Sequence, residues 1–268
     1  MKQIGAHLSI VDGLEKIEEK MENLTIEWCE IFLKNQKTYR FNKMTESLQQ
    51  SFIENIKNSR QIIVNGSYLI KLVKFRDENL MKMFYDDLDR CEKLDIKYYL
   101  LHPGINTIDN KNKAIENVAN QINKALEKFK TVTICLENSQ GNGRALGGTF
   151  EELKLIIDLI KEKDRVGVIL DTCNLFINGY EIDERTFKAF DSVIGFKYLK
   201  AIHLVNSKEE FGSKKQWRET LKDGKIDLSA FKFIMQSKIF DKVPLILRTP
   251  DKEKFKEEID MLREFEKN

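Results

Sequence analysis

The chain has 268 residues, 41% hydrophobic and 33% charged, a balance that suits a globular protein with one sizeable core or two small ones. Its 45 basic and 43 acidic side chains leave a net charge of +2, which neither demands nor excludes a nucleic-acid partner. No apolar run approaches the ~20 residues of a membrane span, and Met1-Lys2 leads straight into an apolar run without a signal-peptide pattern. Four widely spaced cysteines contain no CxxC pair, and Cys29 and Cys135 lie inside apolar runs, as reduced thiols of an intracellular (cytoplasmic) protein do.

The first apolar run, Gln3–Leu8, is followed by Leu14, Ile17 and Met21 at helical spacing. The second and third runs, Trp28–Leu33 and Gln61–Val64, bracket a segment in which Phe52, Ile53 and Ile56 share a face. Leu80, Met83, Phe84 and Leu88 form the stripe before Tyr98–Leu101. Two further runs, Thr131–Leu136 and Val166–Leu170, enclose the stripe Phe150, Leu153, Ile156, Ile157 and Ile160. Tyr198–Leu204 and Val243–Leu247 complete the runs, and Asp251–Glu266 closes the chain as an amphipathic helix. The runs have the length and continuous apolarity of buried parallel strands. Strand then helix, eight times over, predicts one (β/α)8 TIM-barrel domain over residues 1–268. An open doubly wound sheet fits less well, because no Gly-rich phosphate loop follows the first run.

Polar residues at strand exits are the expected functional positions of such a barrel. Read in order, the exits carry His7, then Lys34-Asn35-Gln36, then Asn65, His102, Glu137, Asp171, His203 and Arg248. Any one of these alone reads as a polar group capping a strand. Two imidazoles and two carboxylates on successive strands, His102, Glu137, Asp171 and His203, converge as ligands of a divalent ion such as zinc or manganese.

The segments Ile4-Gly5-Ala6-His7, Phe32-Leu33-Lys34-Asn35-Gln36, Gly66-Ser67-Tyr68-Leu69-Ile70, His102-Pro103-Gly104 and Leu136-Glu137-Asn138 resemble endonuclease IV, the zinc-dependent abasic-site DNA-repair nuclease. So do Gly141-Asn142-Gly143, Asp171-Thr172-Cys173, Gly195-Phe196-Lys197-Tyr198-Leu199 and Phe211-Gly212-Ser213. The resemblance implies a trinuclear zinc cluster on nine ligands, of which His102, Glu137, Asp171 and His203 match four. Asn65, Asn174, Gln216, Arg218 and Arg248 fill the other five positions, where the family has His, His, Asp, His and Glu. This predicts that the full cluster is absent and that the retained residues hold at most one zinc or manganese ion, with Glu137 as the catalytic carboxylate if chemistry survives.

A guanidinium stays protonated and, ~5 Å from a divalent ion at an effective dielectric of ~20, is repelled by roughly 6–7 kcal/mol. Either Arg248 replaces the metal and forms bidentate contacts with Glu137 or Asp171, or it swings outward and one ion remains. The resemblance also implies double-stranded, abasic or otherwise damaged DNA as the partner of a monomer. Asn35, Gln36, Lys37, Tyr39, Arg40, Ser67 and Tyr68 would grip that DNA, as would Lys214, Lys215 and Arg218 of a basic loop that also carries Trp217. Binding that outlives metal-dependent cleavage is the leading expectation, and an active endonuclease cutting 5′ to abasic sites with one or two metals is the alternative. Sugar isomerisation on one metal is a competing class, against which the Lys34–Gln36 and Gly66–Tyr68 loops point to DNA.

Overall fold

In a strand, successive side chains face opposite sides, so a closed barrel collects every second residue of each strand in its interior. The computed structural model describes residues 1–36, 43–57, 61–73 and 78–267. Eight parallel strands close a barrel: β1 (Ile4–His7), β2 (Trp28–Ile31), β3 (Ile62–Asn65), β4 (Tyr98–Leu101), β5 (Thr133–Glu137), β6 (Val166–Asp171), β7 (Leu199–Leu204) and β10 (Leu245–Leu247). Each strand pairs with its sequence neighbours, and β10 closes the ring between β7 and β1. A two-stranded antiparallel ribbon, β8 (Asn206–Ser207) with β9 (Arg218–Glu219), sits in the β7 exit loop.

The predicted helical stripes fold as α1 (Ile17–Leu24), α2 (Glu46–Asn55), α3 (Glu78–Lys93) and α5 (Phe150–Asp158), and α4 (Lys111–Lys128) forms in a segment without a predicted stripe. Beyond them come α6 (Thr172–Ile177), α7 (Glu184–Val193), α8 (Leu228–Gln236) and α9 (Phe255–Lys267). Both α6 and α7 follow β6, a departure from the expected single helix per strand. Asp171 ends β6 and at once caps α6, its carboxylate accepting from the Asn174 amide at 2.9 Å. In α2 the face differs from the predicted stripe. Phe52 is buried, but Ile53 is 52% exposed, and Ile56 lies just past the helix as its extended cap.

Two apolar layers result. The larger core lies between strands and helices, where Tyr99, Phe84, Phe187, Phe190 and Phe231 are fully buried. The smaller layer plugs the barrel with Ile63, Leu100, Cys135, Ile169, Ala201 and Ile246, against which Trp28 packs. Gly5 completes this plug because nothing larger fits: a Cβ there would stand 2.6 Å from both Ile246 Cδ1 and the Trp28 carbonyl oxygen. The plug sets the floor of the barrel mouth, and the next inward residue of each strand lies two positions further on.

Gly66, at the β3 exit, is the second steric constraint. Its amide donates to the Leu100 carbonyl at 2.8 Å, and a Cβ would meet Tyr99 Oη at 2.5 Å and that same carbonyl at 2.7 Å. The Tyr99 hydroxyl cannot retreat freely, since it donates to the buried Asp87 at 3.0 Å, beside Lys34. Gly66→Ala is therefore expected to lower the unfolding free energy by about 1–3 kcal/mol. Urea unfolding measures this, and an unchanged midpoint would contradict the steric account.

Candidate active site at the barrel mouth

Adding two to each residue of the plug gives the ring above it: His7, Glu30, Asn65, His102, Glu137, Asp171, His203 and Arg248. Strand register brings neighbours level, with His7 opposite Glu30 and Asp171 opposite His203. Seven of the eight are the strand-exit residues read from the sequence. The missed one is Glu30, which lies inside an apolar run rather than after it and is fully buried. The signal was there, since a carboxylate between Cys29 and Ile31 in a buried strand needs a partner.

Glu30 is the hub. Its Oε1 accepts from Asn65 Nδ2 at 2.8 Å and from Arg248 Nη1, and lies 3.0 Å from His7 Nδ1. Its Oε2 lies 2.7 Å from His203 Nε2. The other His203 nitrogen, Nδ1, lies 2.8 Å from Glu137 Oε1, and His102 Nδ1 lies 2.7 Å from Glu137 Oε2. Asp171 Oδ2 accepts from Arg218 Nη2 at 2.7 Å, and the same nitrogen is 3.8 Å from Glu137 Oε1.

The expected bidentate contact of Arg248 with Glu137 or Asp171 is not formed. Arg248 reaches Glu30 on one side and donates from Nη2 to Tyr68 Oη at 3.0 Å on the other. Strand order leaves two carboxylates equally near, since β10 lies two strands from Glu30 on β2 and two from Asp171 on β6, and Asp171 is already taken by Arg218. The guanidinium that meets Asp171 is that of Arg218, brought in by the β9 side of the ribbon.

The electrostatics are those of a closed set of charges. Burial alone would raise the Glu30 carboxyl, but Arg248 and His203 outweigh it and hold it well below the ordinary carboxylate range. Burial likewise opposes the ionised Glu137, and His102 and His203 hold it well below that range. Burial would lower His203, yet Glu30 and Glu137 raise it to about 9, so it is an imidazolium donating from both nitrogens at neutral pH. Burial also disfavours the Arg218 and Arg248 charges, while Asp171 for the first and Glu30 for the second keep them protonated. Glu30, Glu137 and Asp171 thus face His203, Arg218 and Arg248, three charges against three.

The remaining substituted positions are also engaged within the protein. Asn174 Nδ2 donates to the Asn138 carbonyl at 2.7 Å, and Gln216 Nε2 donates to Asn174 Oδ1 at 2.7 Å. Among the described residues, Glu137, Asp171 and His203 are the group whose donor atoms lie close enough for one metal ion, within 4.8 Å of one another. Three buried polar atoms of the mouth have no partner among the described residues: His102 Nε2, Asn65 Oδ1 and Arg218 Nε.

Around the ring, Tyr68 is 48% exposed and stacks on His102 with centroids 4.3 Å apart. Ser67 is buried, its Oγ accepting from the Leu69 amide at 3.2 Å. Gln36 donates to the Lys34 carbonyl at 2.9 Å, which holds the β2 exit loop to itself, and Asn35 lies in the same turn. Lys34 is tied to α3, donating to the Met83 carbonyl and to Asp86. Lys37, Tyr39 and Arg40 lie outside the described residues. Lys214 and Lys215 are exposed and form no ion pair among the described residues, whereas Lys208, Lys222 and Lys225 pair with Glu219, Glu257 and Glu210. Trp217 is 60% exposed, with Lys208 Nζ 5.3 Å from its ring centroid.

The barrel and its polar mouth define a class. A family model described as a xylose isomerase-like TIM barrel matches residues 19–265. Within that class the chain belongs to the endonuclease IV family: it is 36% identical over 276 residues to a probable endonuclease 4 of Chlorobium limicola, covering 98% of this chain and 95% of that one. It is 39% identical over 265 residues to apurinic-apyrimidinic endonuclease 1 of Plasmodium falciparum, covering 92% of this chain but 44% of that protein. The chain thus spans about half the length of the Plasmodium relatives it matches. In fold it is similar to endonuclease IV of Thermus thermophilus, with a TM-score of 0.84 at 23% identity and 98% of both chains covered.

Removing Arg248 leaves Glu30 buried with its strongest counter-charge gone. Arg248→Ala is expected to cost about 3–5 kcal/mol of unfolding free energy, and adding Glu30→Gln should return part of that loss. Additive single effects in urea unfolding would show that the two charges do not act as a pair. The His203 assignment predicts that both imidazole nitrogens are protonated at pH 8 in ¹⁵N spectra, with loss of the proton centred near pH 9. A neutral ring at pH 7 would overturn the charge count.

Proposed function

We propose that this chain binds abasic or otherwise damaged double-stranded DNA across the barrel mouth, and that metal-dependent phosphodiester cleavage is lost or strongly reduced. It acts as a single-domain intracellular monomer. The family membership supports the substrate class. The observation that carries the loss of cleavage is that all six carboxylate oxygens of the ring are engaged: Glu30 with His7, Asn65, Arg248 and His203, Glu137 with His203 and His102, and Asp171 with the Asn174 amide and Arg218.

Family members use zinc, and the residues here do not fit a three-ion cluster. Asn174 accepts from Gln216 and donates to the Asn138 carbonyl, Arg218 and Arg248 bring positive charge, and both His203 nitrogens face carboxylates. Hydrolysis of this kind needs an ion to generate hydroxide and to neutralise the phosphate, and a guanidinium does only the second. DNA contact is assigned to the rim: Tyr68 offers a stacking face, Lys214 and Lys215 meet phosphates, and Asn35, Gln36 and Ser67 shape the adjoining loops. Arg218, named among the DNA contacts on sequence grounds, has its Nη2 on Asp171 and its Nε buried without a partner among the described residues.

A second reading rests on the triad Glu137, Asp171 and His203. If Arg218 turns outward and His203 gives up its proton, those donors hold one zinc or manganese ion, and the chain is an abasic-site endonuclease cutting 5′ to the lesion. The two readings separate in one experiment. Abasic and intact duplexes are incubated with the protein, with and without zinc, manganese or chelator, and scored for band shift and nicking. The proposal expects a selective shift without metal-dependent nicking and no stoichiometric metal after loading. Chelator-sensitive nicking that Glu137→Gln abolishes would establish the second reading instead.

A further inference from the structure

A cavity of about 530 Å³ opens beside the ring, within the usual range of about 300–1,000 Å³ for small-ligand sites. Its lining joins the β1 exit (His7, Val11), the β2 exit (Phe32, Lys34, Gln36) and Lys252, which follows β10. The floor is rigid. His7 is held by Glu30 through Nδ1 and by an edge-to-face contact with Phe32, centroids 4.8 Å apart. Among the described residues, His7 Nε2 and Lys252 Nζ make no hydrogen bond or ion pair. Lysines elsewhere on this face are differently placed: Lys20 donates to the Ser9 carbonyl and pairs with Asp12, and Lys34 is tied to α3.

We propose that Lys252 is an imine-forming nucleophile for the ring-opened aldehyde of an abasic deoxyribose, and that His7 is its partner base in a metal-free strand cleavage by β-elimination. This rests on the abasic-DNA reading above and extends it from binding to a chemistry the ring of ions is not needed for. A lysine is activated for this role by desolvation and by neighbouring cations. Lys252 is exposed where it lines the cavity, and partial burial, then Lys20 and Arg248, lower its amine from the ordinary value. Burial likewise lowers His7, against the opposing pull of its bond to Glu30, so its ring is a neutral base.

The step balances without a co-reactant. Lys252 Nζ adds to the C1′ aldehyde and water leaves, forming an iminium. His7 Nε2 takes a C2′ proton, the electron pair becomes the C2′=C3′ double bond, and the C3′–O bond breaks. The downstream strand departs with a 5′-phosphate. Water then hydrolyses the imine, returning Lys252 and leaving an unsaturated aldehyde on the upstream 3′ end. Hydrolysis 5′ to the lesion would instead leave a 3′-hydroxyl, so the products identify the chemistry.

The test uses the full chain with an abasic duplex in chelator and sodium borohydride, which fixes an imine as a covalent adduct. A tetrahydrofuran duplex, which lacks the aldehyde, is run alongside to measure binding alone. The expected result is a chelator-resistant adduct whose mapped peptide carries DNA on Lys252, a nicked product ending in 5′-phosphate, and at least a tenfold loss of adduct in Lys252→Arg. His7→Gln is expected to retain the adduct but slow the nick. Three outcomes overturn the proposal: binding to tetrahydrofuran DNA with no adduct on the aldehyde, an adduct mapped to another lysine, or undiminished yield in Lys252→Arg. Absence of tetrahydrofuran binding would instead bring down the DNA-binding reading, and this proposal with it.

Discussion

Three carboxylates buried in one ring must be neutralised, and this requirement organises the barrel mouth. Glu30, Glu137 and Asp171 cannot ionise together in a low-dielectric interior unless cations stand among them. A metal ion is one way to supply that charge. Here His203, Arg218 and Arg248 supply it covalently attached to the chain. The placement of Tyr68 follows from the same requirement, because the outer edge of Arg248 fixes its hydroxyl and the ring then lies flat on His102.

The apolar plug explains why the charges can be assembled at all. Ile63, Leu100, Cys135, Ile169, Ala201 and Ile246 fill the barrel so closely that β1 must contribute Gly5. Each strand then presents its next inward side chain at one level. Ion pairs of this kind are weak evidence for stability, since desolvation offsets most of the attraction. Their value lies in geometry: with all six carboxylate oxygens engaged, the charged groups of the mouth are held in one arrangement.

Most of the barrel was legible in the sequence because parallel strands buried on both faces are continuous apolar runs, and amphipathic helices separate them. The helical segment after Val166–Leu170 was less legible: Asp171 caps a short helix directly at the strand end, and a six-residue helix carries too few residues for a periodic signal. Seven of the eight ring residues were readable as polar groups at run ends. Glu30 was not, because attention to run ends passes over a charge inside a run, whereas counting two positions from Trp28 reaches it directly. The partners of the arginines were beyond reach for a different reason. Which carboxylate a guanidinium meets depends on strand order and on a ribbon formed 47 residues after Asp171.

The ribbon that delivers Arg218 joins two electrostatic regimes within a few residues. Lys214 and Lys215 stand in solvent, where at physiological salt charges separated by more than ~8 Å scarcely feel one another. Arg218, 19% exposed, meets its buried carboxylates beneath, where salt screens the charges much less. Changes in ionic strength therefore act on the field of the exposed rim far more than on the arrangement below it. The surface field and the buried geometry are governed by separate dials, set four residues apart on the same stretch of chain.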